Sequence, residues 1–129
     1  MKTQMTIAQA RARIVKVHQE IECTWMRSCG RKRTDADEAG ERLVLVDELV
    51  RLKLAVLAAN LAHTVDFGGQ RMTLAEALMR KDELKSELRR LRNTDDLVRI
   101  RRRMRLWRER ERLCGLIDEA NSRFHIHFG

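Results

Sequence analysis

Arg101, Arg105, Arg108 and Arg112 recur at spacings of four, three and four within Arg99-Ile100-Arg101-Arg102-Arg103-Met104-Arg105-Leu106-Trp107-Arg108-Glu109-Arg110-Glu111-Arg112. On a helix, residues three and four apart share one face, so these four make a stripe. A guanidinium presents a planar fork that matches phosphate oxygens. A row of such forks suits a polyanion, each phosphate contact adding salt-dependent affinity. Arg31-Lys32-Arg33 is a second basic cluster that would extend the surface. The same run also suits a solvated face, with arginines paired to Glu109, Glu111 or the acids of the second helix. Trp107 falls with Ile100 and Met104 in an apolar seam, which places it in the core and not on a base-stacking platform.

His125 and His127 lie two apart, on one side of a strand, a spacing at which two imidazoles can chelate zinc. Asp66 would be the third ligand if its segment lay across from theirs. A polar strand end facing solvent explains the same residues. His63 reads as a half-buried histidine and His18 as a helix-surface residue. Cys29 stands among Arg27, Arg31 and Arg33, a cationic setting that favours thiolate chemistry, but neither a base nor an orienting acid is placed beside it. No glycine-rich phosphate loop, nucleophile elbow or paired Cys-x-x-Cys pattern occurs. No catalytic residue, resident metal or cofactor is therefore expected.

These residues need elements to carry them. At 129 residues the chain reads as one domain, long enough to bury a core without staples. It has no Pro and no Tyr; 36% of residues are charged, and apolar residues return at helical spacing, which predicts a mainly α protein. A hydrophobic share of 43% is too high for a disordered chain. The formal net charge of +8 attracts polyanions without choosing among them. Three cysteines without framework spacing fit a reduced, cytoplasmic setting. Neither a signal-peptide pattern nor an apolar run of membrane-spanning length is seen.

The chain repeats itself. Met5-Thr6-Ile7-Ala8-Gln9-Ala10 returns as Met72-Thr73-Leu74-Ala75-Glu76-Ala77, and the copies stay in register at Val17 and Leu84, Glu20 and Glu87, Ile21 and Leu88. Asn60-Leu61-Ala62-His63-Thr64-Val65-Asp66-Phe67-Gly68 is echoed by Asn121-Ser122-Arg123-Phe124-His125-Ile126-His127-Phe128-Gly129. The unit is written twice, at about 1–68 and 69–129.

Thr6 with Gln9, and Thr73 with Glu76, are capping boxes that open helices. Ile7, Ala10, Ile14, Val17, Ile21 and Thr24 make the first stripe; Leu74, Ala77, Leu84, Leu88 and Leu91 make its counterpart. Lys81 takes the place of Ile14. The second helix, from Thr34-Asp35, is apolar on most sides, as expected of a helix packed by several neighbours or a second subunit. The fourth runs from about Asp95 to Asn121 with Leu97, Ile100, Met104, Trp107, Cys114 and Ile117 as its seam. Alternation at His63, Val65, Phe67 and at Phe124, Ile126, Phe128 predicts two short strands paired antiparallel with each other. The expected architecture is a mainly α, pseudo-two-fold four-helix bundle of two helical hairpins, each followed by a short β-strand.

Met5 to Ala10, Asn60-Leu61-Ala62-His63-Thr64 leading into Gly69-Gln70-Arg71-Met72-Thr73-Leu74-Ala75-Glu76-Ala77-Leu78-Met79-Arg80-Lys81-Asp82, and Leu116-Ile117-Asp118-Glu119-Ala120-Asn121 together resemble the septicolysin-like family of small helical bacterial proteins. The chain departs from that pattern at Ser122, where the family carries Trp, and in being more basic. The resemblance implies helical hairpins; the family name implies a cytolysin, but no stretch here has membrane-inserting character.

The expected function is non-enzymatic: a helical binding or assembly protein, a homo-oligomer offering a basic face to an acidic partner, with no membrane role. The alternative is a nucleic-acid-binding protein using the arginine-rich fourth helix.

Overall fold

The computed structural model describes residues 3–27 and 35–128, with side chains for 4–26 and 37–128. The element order is β1 (Thr3–Thr6), α1 (Ile7–Arg27), α2 (Asp35–Ala62), β2 (Thr64–Phe67), β3 (Gln70–Thr73), α3 (Leu74–Arg90), α4 (Leu97–Arg123) and β4 (His125–Phe128). The chain is mainly α, and each pair of helices is followed by a short strand. Two compact units form: residues 1–59 with 124–129, and residues 60–123.

In the first unit, α1 opens where the capping box is written. The Gln9 amide donates to Thr6 Oγ1 at 3.1 Å, and the Thr6 amide donates to Gln9 Oε1 at 3.0 Å. Two orphan donors of the first turn are thus satisfied reciprocally. The predicted stripe faces inward: Ile7, Ala10, Val17 and Thr24 are buried. Thr24 satisfies its hydroxyl locally by donating to the Ile21 carbonyl at 2.6 Å. Arg13 joins α1 to α2, with Nη2 at 2.8 Å and Nε at 2.8 Å from Glu48 Oε1.

α2 carries two apolar stripes on opposite sides, which is why its sequence looks oily all round. Leu45, Leu49, Leu52, Val56 and Ala59 face inward, with Leu49, Leu52 and Ala59 buried. Leu43, Val46, Val50, Leu54, Leu57 and Leu61 form the opposite stripe, and all six are exposed. Of the two expected coverings, neighbours within the chain supply the inner side; covering by a second subunit concerns the outer one.

In the second unit, β2 and β3 form an antiparallel hairpin with Val65 opposite Met72 and Asp66 opposite Arg71. Its two-residue turn is Gly68-Gly69, with φ of 59° and 79°. Positive φ at both central positions matches the twist of the strands and is open to glycine at no steric cost. α3 follows at once, its N-cap Thr73 accepting from the Glu76 amide at 3.1 Å. Here the box is closed from one side only, because Glu76 binds Arg80 Nη2 at 3.0 Å instead of reaching back.

The strand pairing differs from the sequence expectation. β2 and β4 do not pair with each other; β2 pairs with β3, and β4 pairs with β1. The two strands that were not expected, β1 and β3, are the residues immediately before each capping box. The tight Gly68-Gly69 turn makes the β2–β3 pairing local, with little loop-closure entropy to overcome. That leaves β4 for β1, with Met5 opposite Ile126 and Gln4 opposite His127. Each ribbon thus takes one strand from each repeat, and the two registers are the same when the repeats are aligned.

Candidate functional site

The roll of α4 about its own axis decides which arginines face outward. Met72, Ala77, Leu113 and Ile117 form one buried cluster, with Val65, Phe67, Leu78 and Leu84 packed against it. α4 therefore turns Leu113, Ile117, Ala120 and Asn121 inward. One, two and three turns before Leu113 this face carries Arg110, Leu106 and Arg103, all half-buried. Their stems can line apolar surface while the heads seek partners. Arg103 Nη1 donates to the Leu91 carbonyl at 3.4 Å, whereas Arg110 Nε is buried without a hydrogen-bond partner among the described residues.

This overturns the expected seam. Leu97, Met104 and Trp107 are exposed, Trp107 by 54% and Met104 by 51%. Only Ile100, Cys114 and Ile117 of the six belong to covered or half-covered positions. The reason is competition between two adjacent stripes. Leu106, Leu113, Ile117 and Ala120 also fall at helical spacing, and they are the ones opposite the β2–β3 hairpin and α3. Arg103 and Arg110 interrupt that stripe in the sequence and hide it. The signal for an outward Trp107 was its position between Arg103 and Arg110 on one side and Arg108 on the other.

The consequence is a different site from the one expected. An open groove along α4 is lined by Arg101, Met104, Arg105, Trp107, Arg108, Glu111 and Arg112. All four arginines of the predicted stripe are present, joined by the ring expected in the core. Four cations stand there against one carboxylate. Among the described residues none of the four makes an ion pair or hydrogen bond, so the expected pairing with Glu109 or Glu111 is not formed. Arginines elsewhere on the same helix do have partners: Arg99 with Asp96 at 3.9 Å and Arg102 with Glu87 at 3.9 Å. The outward stripe has been left unneutralised.

The two tryptophans differ in the same way. Arg42 lies over the Trp25 ring at 3.7 Å from its centroid, a cation–π contact within the first unit. Among the described residues no such contact occupies Trp107.

Among the described residues the remaining candidates are not assembled into sites. His125 and His127 are exposed on β4, but their ribbon partner is β1, with Thr6 opposite His125 and Gln4 opposite His127. Asp66 lies in the other ribbon, opposite Arg71, so the strand pairing that was to make it a third ligand is not formed. Among the described residues no group of three or more His, Cys, Asp or Glu is placed to hold a metal. His63 is half-buried, and its carbonyl accepts from the Leu74 amide at 3.0 Å. Cys23 is exposed and Cys114 half-buried, both free thiols. Arg31, Lys32, Arg33 and Cys29 lie outside the described residues. No helix among the described residues is long and apolar enough to cross a membrane.

Compared with known protein families, with curated proteins and with solved structures, the chain has no match.

Proposed function

We propose that this chain is a non-enzymatic binding and assembly protein of the cytoplasm, which self-associates through α2 and offers the α4 arginine face to an acidic partner. The observation that carries the assembly is the outer stripe of α2. Leu43, Val46, Val50, Leu54, Leu57 and Leu61 are all exposed and are spaced three, four, four, three and four apart. Such a row, about 27 Å long at 1.5 Å per residue, is the seam of a helix pair.

The occupant that fits it is a second copy of the same helix. Run antiparallel about Leu52, the stripe meets itself at two pairs, Leu43 opposite Leu61 and Val50 opposite Leu54, while Val46 faces Ala58 and Leu57 faces Asp47. A two-fold contact requires this self-complementarity. Val50→Glu with Leu54→Glu would bring four carboxylates to its centre. Size-exclusion chromatography with light scattering across dilutions is the test. Wild type is expected to run as a dimer that dissociates on dilution, and the double variant as a monomer. A wild-type monomer at every concentration would sink the assembly.

The second reading, nucleic-acid binding, is favoured by the unpaired state of Arg101, Arg105, Arg108 and Arg112 beside an exposed Trp. It does not compete with assembly, because the two use different helices.

A further inference from the structure

We infer that the α4 groove is a binding site for single-stranded nucleic acid, in which Trp107 stacks on an unpaired base while the arginine stripe follows the phosphates. The inference rests on the α4 face being a binding surface, as proposed above, and names its ligand.

Charge alone does not select the ligand. An acidic protein, a sulfated polysaccharide and a duplex would all satisfy Arg101, Arg105, Arg108 and Arg112. The ring is what discriminates. Trp107 is more than half exposed, in the same groove as the four guanidinium groups, and no arginine among the described residues lies over it. An exposed indole offers a flat apolar face on which another planar group can stack. Bases have such a face, and it is accessible only when they are unstacked from a duplex. The arginines, with Cβ atoms about 5–6 Å apart between neighbours on the helix, provide a cationic track beside the ring. A lipid-embedded helix presents a continuous apolar face, whereas the apolar side chains lining this groove, Met104 and Trp107, are flanked by arginine.

Two features of binding follow. With four phosphate contacts on a single strand, the logarithm of affinity should fall with the logarithm of salt at a slope of about −2.8. Loss of the ring should weaken binding on the order of tenfold, with little dependence on base identity.

The test is fluorescence anisotropy of a labelled twelve-residue oligo-dT, the duplex of the same length, labelled heparin, and anionic vesicles, each with wild type, Trp107→Ala, Trp107→Phe and the quadruple Arg101→Glu/Arg105→Glu/Arg108→Glu/Arg112→Glu variant. Circular dichroism confirms that each variant is folded. The expected result is that oligo-dT binds more tightly than the duplex. Trp107→Ala should then lose about tenfold on oligo-dT and nothing on heparin, Trp107→Phe should retain most of the affinity, and the quadruple variant should lose both ligands. In a Trp25→Phe background, oligo-dT should quench the Trp107 emission and heparin should not. Equal oligo-dT binding by wild type and Trp107→Ala overturns the stacking site, as does a preference for duplex or vesicles. If heparin binding still depends on the arginines in that event, the basic face stands without its nucleic acid. If the quadruple variant binds heparin as wild type does, the basic face itself fails.

Discussion

The amide of Ile7 donates to the carbonyl of Phe124 at 3.0 Å, and the amide of Leu74 donates to the carbonyl of His63 at the same distance. These bonds are one interaction made twice. Each ties the first residue of a repeat's leading helix to the residue just before the closing strand of the other repeat. In an antiparallel ladder, a bond at that place makes the next pair outward a non-hydrogen-bonded one. Thr6 with His125 and Thr73 with Thr64 are therefore such pairs, and so, two residues further, are Gln4 with His127 and Arg71 with Asp66.

Side chains of non-hydrogen-bonded pairs stand close, with Cα atoms about 4.5 Å apart, within the range a disulfide spans. In a background of Cys23→Ser, Cys29→Ser and Cys114→Ser, the pairs Gln4→Cys/His127→Cys and Asp66→Cys/Arg71→Cys should each oxidise to an intramolecular bridge. Intact mass, lower by two hydrogens, reports it. Absence of a bridge in either variant would show that its ribbon has another register.

The roll of α4 gives a stability contrast between two residues nine apart. Leu113 is fully buried in the cluster with Met72, Ala77 and Ile117. Leu113→Ala should cost about 2–5 kcal/mol in urea unfolding. Met104→Ala, on the exposed side, should cost less than about 0.5 kcal/mol. Similar costs for both would mean that the helix sits rotated from the orientation described.

Arg110 offers the opposite sign. Its Nε is buried and without an acceptor, a state that opposes folding by about 1–3 kcal/mol. Arg110→Met keeps the stem and removes the donor, so urea unfolding should show a gain on the order of 1 kcal/mol. A loss of that size instead would show that the guanidinium has a partner in solution.

Local chemistry was legible from residue types alone. Thr6 with Gln9 and Thr73 as a cap, the inward stripe from Ile7 to Thr24 and the outward arginine row all follow from interactions within a few residues. So does the repeat, which foretold equivalent elements in both halves. Where two neighbouring options were equally good locally, the sequence could not choose. Trp107 and Leu106 each head a stripe on α4 at helical spacing, and only the hairpin side chains Met72, Val65 and Phe67, far away in sequence, decide for the Leu106 side. Strand partners were ambiguous for the same reason. β2 and β4 each have the alternation of a paired strand, but alternation states that a strand exists and not which strand it meets. The short turn and the helix that follows it settle that, by making one pairing cheap in chain entropy and leaving the other pair of strands to each other.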